Sequence, residues 1–237
     1  MEKTVLIFLT FAFLSHLLEC KNNPNSCKFT INNENTFYDS YLFNSSRTDP
    51  SKTTIKFPLA SNHGCQATFV SIGFGGNFGY HFGGGSGYVE YVVIDISSTE
   101  YEVEYSSVKN KEGDTIIHAN GGGVGDGMTG GRGYSGGGDT SSSGGSNGSD
   151  GYGENGGKGS GTNISEIPLN NFVLSPGDGG VNNVYNGGGG GGILVDNIGP
   201  DSFEYQGEGF GGGGGGGDFG DFAYGLPGTV LIEVKSK

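Results

Sequence analysis

The chain has 237 residues, a formal net charge of −13, 52 glycines and no tryptophan. The acidity argues against nucleic acid and anionic membrane as partners, because both select a basic surface. So much glycine, with only 32% hydrophobic content, would mark a low-complexity chain, but the apolar residues gather into short runs rich in Val, Ile, Phe and Tyr, the composition of strands.

In chain order, residues 1–20 read as a secretory signal peptide. Lys3 supplies a positive start, Thr4 to Leu14 an apolar centre, and Ser15 to Cys20 a more polar tail with cleavage after Cys20. The apolar centre is too short for a bilayer-spanning anchor, and polar, Asn-rich sequence follows at once, so no membrane span is expected after signal removal. Cleavage removes Cys20 and leaves Cys27 and Cys65, an even pair that predicts one disulfide in a secreted chain. It would close a loop of about 38 residues and stabilise the fold by ~3–4 kcal/mol. Sequons at Asn44, Asn147 and Asn163 are candidate glycosylation sites.

The mature chain reads as strands without helical periodicity. Candidate strands are Cys27 to Ile31, Tyr38 to Phe43, Thr53 to Phe57, Ala67 to Ile72, Tyr88 to Ile96, Glu100 to Tyr105, Thr115 to Ala119, Ile193 to Val195 and Thr229 to Val234. Many short strands of this kind predict an all-β sandwich or barrel, here one domain over residues 21–237 with a glycine/serine-rich insert at about 119–162. The segment 100–105 alternates, with Glu100, Glu102 and Glu104 on a solvated face and Tyr101, Val103 and Tyr105 toward the core. Three carboxylates along one strand do not make a glycosidase pair, which must face each other across a substrate. In the last strand, Glu233 marks an outer face shared with Thr229 and Leu231, unless glycine helices also cover that face, and Val230, Ile232 and Val234 point inward.

Three glycine-rich runs adjoin these strands, at 121–161, 187–192 and 211–217. Gly121, Gly127, Gly130, Gly133 and Gly136 are spaced by multiples of three, interrupted at Val124. That is the repeat of the left-handed extended helix with three residues per turn, which can bundle where only hydrogen separates the backbones. Ordering glycine costs more entropy than ordering any other residue, so such runs order only side by side. Order is expected at 187–192 and 211–217 and disorder at 141–161.

The stretches "GGGSGYVEYVVIDISSTEYEVEY" (83–105), "IIHANGGGVGDG" (116–127), "GGGGGGILVDNIGP" (187–200) and "GEGFGGGGGGG…YGLPGTVLIEV" (207–234) resemble a glycine-rich family. That family includes the extracellular glycine-rich region of anaplastic lymphoma receptor kinases and related secreted proteins. The resemblance covers most of 65–237. It implies a jelly-roll-like β-sandwich whose loops are expanded into packed polyglycine II helices. Receptor signalling does not carry over, since the chain has no kinase domain, and no ligand-contact residue can be mapped from the family.

No motif points to catalysis. Gly133-Tyr134-Ser135-Gly136-Gly137 and Gly144-Gly145-Ser146-Asn147-Gly148 match the nucleophile elbow without the strand-to-helix turn that mechanism requires. His63, His81 and His118 show no metal-ligand spacing, and no acidic calcium loop is present. Catalytic, cofactor and metal residues are therefore expected to be absent. The expectation is a secreted, non-enzymatic structural or interaction protein of a matrix, cell coat or mineralised layer, with self-association in view. The alternative is a soluble recognition module for a receptor or surface glycan.

Overall fold

The computed structural model describes residues 27–44, 52–58, 64–79, 82–125, 130–135, 140–141, 144–145, 163–181, 187–203, 206–215 and 224–237. The expected all-β architecture is the one found. Strands β1 (Thr30–Ile31), β2 (Ser40–Asn44), β3 (Thr53–Lys56), β4 (Cys65–Ile72), β5 (Val89–Asp95), β6 (Glu100–Glu104), β7 (Ser107–Asn110), β8 (Thr115–His118), β9 (Thr140–Ser141), β10 (Gly144–Gly145), β11 (Leu174–Pro176), β12 (Ile193–Val195) and β13 (Thr229–Ser236) follow in order. Two antiparallel sheets carry the domain, one ordered β1-β3-β6-β7-β8 and the other β2-β13-β4-β5. Among the described residues, no helix is long and apolar enough to cross a membrane.

The period-two alternation of the strands builds the core between these sheets. Ile31, Ile55, Tyr101, Val103, Val108 and Ile117 from the five-stranded sheet meet Phe43, Ala67, Phe69, Val230, Ile232 and Val234 from the four-stranded one. Aromatic rings add edge contacts, as between Phe57 and Tyr101 at 5.7 Å. Cys27 and Cys65 form the expected disulfide, which ties the start of the described chain to the first residue of β4.

The four-stranded sheet is covered on its other face as well. Val70, Ile72, Val89 and Leu231 pack there with Tyr134, Ile167, Ile193, Val195 and Phe210. Both faces of β13 are therefore buried, which overturns the expectation of an outer face at Thr229, Leu231 and Glu233. Leu231 is wholly inaccessible, and Glu233 is buried beside it. The Glu233 carboxylate accepts hydrogen bonds from Asn170 N, Asn170 Nδ2 and Asn171 N at 2.8–3.0 Å. Its charge reports a partner in a third layer rather than water.

Much of that third layer is glycine backbone. The segment 82–88 shows its construction. Gly84 and Gly87 N–H donate to Gly214 and Gly211, Gly85 and Tyr88 N–H donate to Gly123 and Asn120, and Ser86 N–H donates to Ser135. The 211–214 and 120–123 neighbours are each met again after three residues, antiparallel. On the acceptor side, Gly76 and Gly73 donate to Gly85 and Tyr88 in the same three-residue step, and Gly190 donates to Gly84. Gly177 and Gly180 repeat the step against Gly192 and Gly189. A threefold repeat with bonds to several surrounding chains is the geometry of side-by-side extended helices with three residues per turn.

The expected contact row of the 121–136 run is Gly121, Gly127, Gly130, Gly133 and Gly136, and the structure shifts the start of that row by one residue. Gly121 and Val124 face solvent, and Gly127 and Gly136 lie outside the described residues. The tight positions are Gly122 and Gly125, where an added Cβ would stand 2.1 Å from the Gly85 carbonyl oxygen and 2.5 Å from the Phe82 Cβ. Val124 thus interrupts the series because its row carries no contact there. Gly133 does occupy a contact position, 1.9 Å from the Ser86 oxygen by the same measure.

Residues 187–192 and 211–215 lie in the hydrogen-bonded glycine layer; Gly216 and Gly217 lie outside the described residues. Of the stretch 141–161, only Ser141, Gly144 and Gly145 are described, in the β9–β10 pair, and the rest lies outside the described residues. Residues 119–125 and 130–135, expected within an insert, are hydrogen-bonded into the third layer.

Candidate functional site

The glycine layer has an aromatic rim, and one amide builds it. Gln206 is buried, and its Oε1 accepts from Phe203 N at 2.8 Å while its Nε2 donates to the Tyr224 carbonyl at 2.5 Å. A single side chain thereby ties together two loops. The aromatic side chains on those loops stay in solvent, Phe203 at 74% exposure and Tyr224 at 59%. Tyr224 also meets Phe78 edge-on at 6.0 Å, and Gly225 N donates to Asn77 Oδ1 beside it. Buried polar groups with satisfied partners fix geometry, so the rim presents aromatic faces from an anchored backbone.

A second exposed apolar point lies on the β11–β12 ribbon. Val195 and Ile198 exchange backbone hydrogen bonds around Asp196 and Asn197, whose φ values of 53° and 60° define a two-residue turn with the twist hairpins favour. The Asp196 carboxylate accepts from Val173 N, and Asp196 N donates back to the Val173 carbonyl. Val173 and Ile198, at the two sides of this turn, are both largely exposed.

The charged strand β6 is a solvated face with counterions. Lys52 Nζ lies 2.8 Å from Glu102 and 3.9 Å from Glu104, and Lys109 also approaches Glu104. The Glu102 hydrogen bond and charge hold the Lys52 ammonium above its usual range. Tyr101 and Val103 point inward as expected, whereas Tyr105 leaves the strand with a φ of 53° and meets Phe74 edge-on.

The remaining sequence candidates are dispersed. Asn44 ends β2 opposite Thr229, and the residues that complete its sequon lie outside the described residues, as does all of the Asn147 sequon. Asn163 caps a short 3-10 turn, Ile164–Glu166; its Oδ1 accepts from Ser165 N and Ser165 Oγ, and its Nδ2 donates to Glu166. His63 and His81 lie outside the described residues, and His118 sits exposed on β8. Among the described residues no group of three or more His, Cys, Asp or Glu is placed to hold a metal ion. Ser135 of the first elbow-like motif is fully buried in the glycine layer, its N–H donating to Ser86 Oγ.

Sequence reading missed Gln206 and the glycine segments 73–79 and 83–87. The first of those segments does carry a period-three signal. Gly73, Gly76 and Gly79 recur every third residue, and each would set a Cβ about 2 Å from the carbonyl oxygen of Asn120, Gly123 or Gly125. The intervening Phe74, Asn77 and Phe78 hide it. Comparison with family models, with curated proteins and with solved structures finds no match to this chain.

Proposed function

We propose that this chain is a secreted, non-enzymatic glycine-rich structural or interaction protein of an extracellular matrix, cell coat or mineralised layer. The observation that carries the reading is the third layer, in which glycine segments hydrogen-bond to one another and hold an aromatic rim in solvent. A backbone lattice of this kind is rigid, chemically plain and suited to presenting a surface. The acidic balance, the signal-like residues 1–20, the resemblance of 83–234 to secreted glycine-rich domains and the sequons at Asn44, Asn147 and Asn163 support an extracellular setting, with an extracellular protein or glycan surface as partner. Exposed Phe203 and Tyr224 favour a second reading, a soluble recognition module that binds a receptor or surface glycan through its glycine-rich loops, since aromatic faces anchor both protein and sugar contacts. Fractionating secreted protein into soluble and matrix pools separates the two. Retention in the matrix pool supports the first reading; complete recovery as soluble protein refutes it.

A further inference from the structure

We infer that β5 is a self-association edge, and that it pairs antiparallel with β5 of a second copy of this chain about a twofold axis at Val92. Among the described residues β5 ends the four-stranded sheet, pairing with β4 alone. Its ladder to β4 is bracketed by hydrogen bonds from Gly73 N to the Tyr88 carbonyl and from Ile96 N to the Cys65 carbonyl. Backbone groups alternate in direction along an antiparallel strand. Glu90, Val92 and Ile94 therefore turn theirs toward β4, while Val89, Tyr91, Val93 and Asp95 turn theirs away from it; Val89 is fully buried, so the stretch exposed for pairing runs from Tyr91 to Asp95.

Natural edge strands are blunted by charged side chains, lysine above all, by proline, by bulges or by brevity. β5 has seven residues and an unbroken register with β4, no Pro, Lys or Arg, and two carboxylates, Glu90 and Asp95. Its exposed apolar side chains are Tyr91 and Val93, at 37% and 38%. Centring the twofold axis on Val92 sets each Tyr91 opposite the second copy's Val93, an aromatic and β-branched cross-strand pair. The same register sets Glu90 opposite Ile94, so no carboxylate opposes another. Slipping by one residue would bring Glu90 against Asp95 and turn one sandwich over relative to the other. Asp95 is already occupied by Lys237, whose Nζ is 2.7 Å away. In this register the edge pairs with its own copy in hydrogen bonding and in cross-strand side chains without setting carboxylate against carboxylate, which suits an isologous interface.

The inference takes up the self-association in the proposed function but is tested apart from it. Sedimentation of the purified protein should show a reversible monomer–dimer equilibrium, strengthened at high salt because both copies carry a large negative charge. Val93→Pro removes an outward-facing N–H without taking a hydrogen bond from the ladder to β4 and should weaken association at least tenfold. Tyr91→Glu, a side-chain change at an exposed position, should do the same, which keeps the test decisive if the proline variant fails to fold. Val93→Thr keeps the N–H and should associate like the parent. A parent that stays monomeric at the highest concentrations reached, or variants Val93→Pro and Tyr91→Glu that associate as the parent does, would overturn the inference. Loss of dimers in the variants supports it whichever pool the secreted protein occupies.

Discussion

Gly121 and Gly122 are neighbours in sequence, and replacing each by alanine should have very different consequences. At Gly122 an added Cβ would lie 2.1 Å from the Gly85 carbonyl oxygen and 2.5 Å from that of Ser86. Both obstacles are backbone, so no rotamer change relieves the clash. Segments 82–88 and 120–125 must separate, which strains the bonds from Gly122 N to Phe74 and from Gly85 N to Gly123. Overpacking costs about 1–3 kcal/mol, and two weakened hydrogen bonds add about 0.5–1.5 kcal/mol each. Gly122→Ala should therefore cost roughly 3–5 kcal/mol, lowering the melting temperature by about 10 °C in a domain of this size. At Gly121 the nearest atom to an added Cβ is the Phe74 oxygen at 3.3 Å, and the position is open to solvent. Gly121→Ala removes backbone freedom from the unfolded chain, worth about 0.4–1 kcal/mol, which offsets one tight contact with the Phe74 oxygen, so its melting temperature should stay close to the parent's. Thermal melts of the two purified variants, followed by circular dichroism, decide the matter. Equal melting temperatures would refute the close packing of glycine segments.

Burial on both faces of β13 makes Leu231→Asp and Ile232→Asp equally severe: each desolvates a charge without a partner, at a cost of several kcal/mol, and neither should yield folded protein, as judged by recovery of soluble, protease-resistant material. Wild-type recovery of Leu231→Asp would mean that the third layer does not cover that face. Glu233→Ala strands the Asn170 and Asn171 donors and should cost about 3 kcal/mol, whereas Glu233→Gln keeps one acceptor and should cost about half as much; chemical denaturation measures both, and a neutral Glu233→Ala contradicts the clamp. Asp95 is held below the ordinary carboxylate range, first by its hydrogen bond to Lys237 and then by that to Gln66. A depressed carboxylate contributes stability that is present above its unfolded value and lost as pH falls through the folded one. In an NMR titration Asp95 should therefore protonate later than a free aspartate as acid is added, and Lys237→Ala should move it back up; an unmoved titration in that variant would contradict the contact.

Most of the sandwich was legible because β-branched and aromatic runs such as Val89 to Asp95, and alternations such as Glu100 to Tyr105, mark strands on their own. β7 and β11 escaped notice because Ser107 to Asn110 is short and largely polar and Leu174 to Pro176 has only three residues and ends in proline, both held by pairing with neighbours rather than by their own pattern. Glu233 misled for a different reason. A carboxylate reports water only where no further layer supplies donors, and its donors come from Asn170 and Asn171, more than sixty residues away. Glycine hides its contacts most thoroughly, since it has no side chain with which to mark a face. Where a non-glycine residue interrupts the period, as Val124 does, it marks the solvent-facing row, and the contact row can then be found one residue away. Gln206 carried no signal at all, because its role depends on two loops that sequence does not bring together.

Residue-resolved amide hydrogen exchange tests the hydrogen-bonded glycine layer most directly. Gly85, Gly87, Gly122, Gly190 and Gly213 each donate to another glycine segment or to Phe74, so their amides should exchange orders of magnitude more slowly than in an unstructured chain, at rates near those of Val70 and Leu231 in the central strands. Exchange of these five amides at the unstructured rate, with Val70 and Leu231 still protected, would mean that the sandwich stands without the layer and that the glycine segments are slack loops.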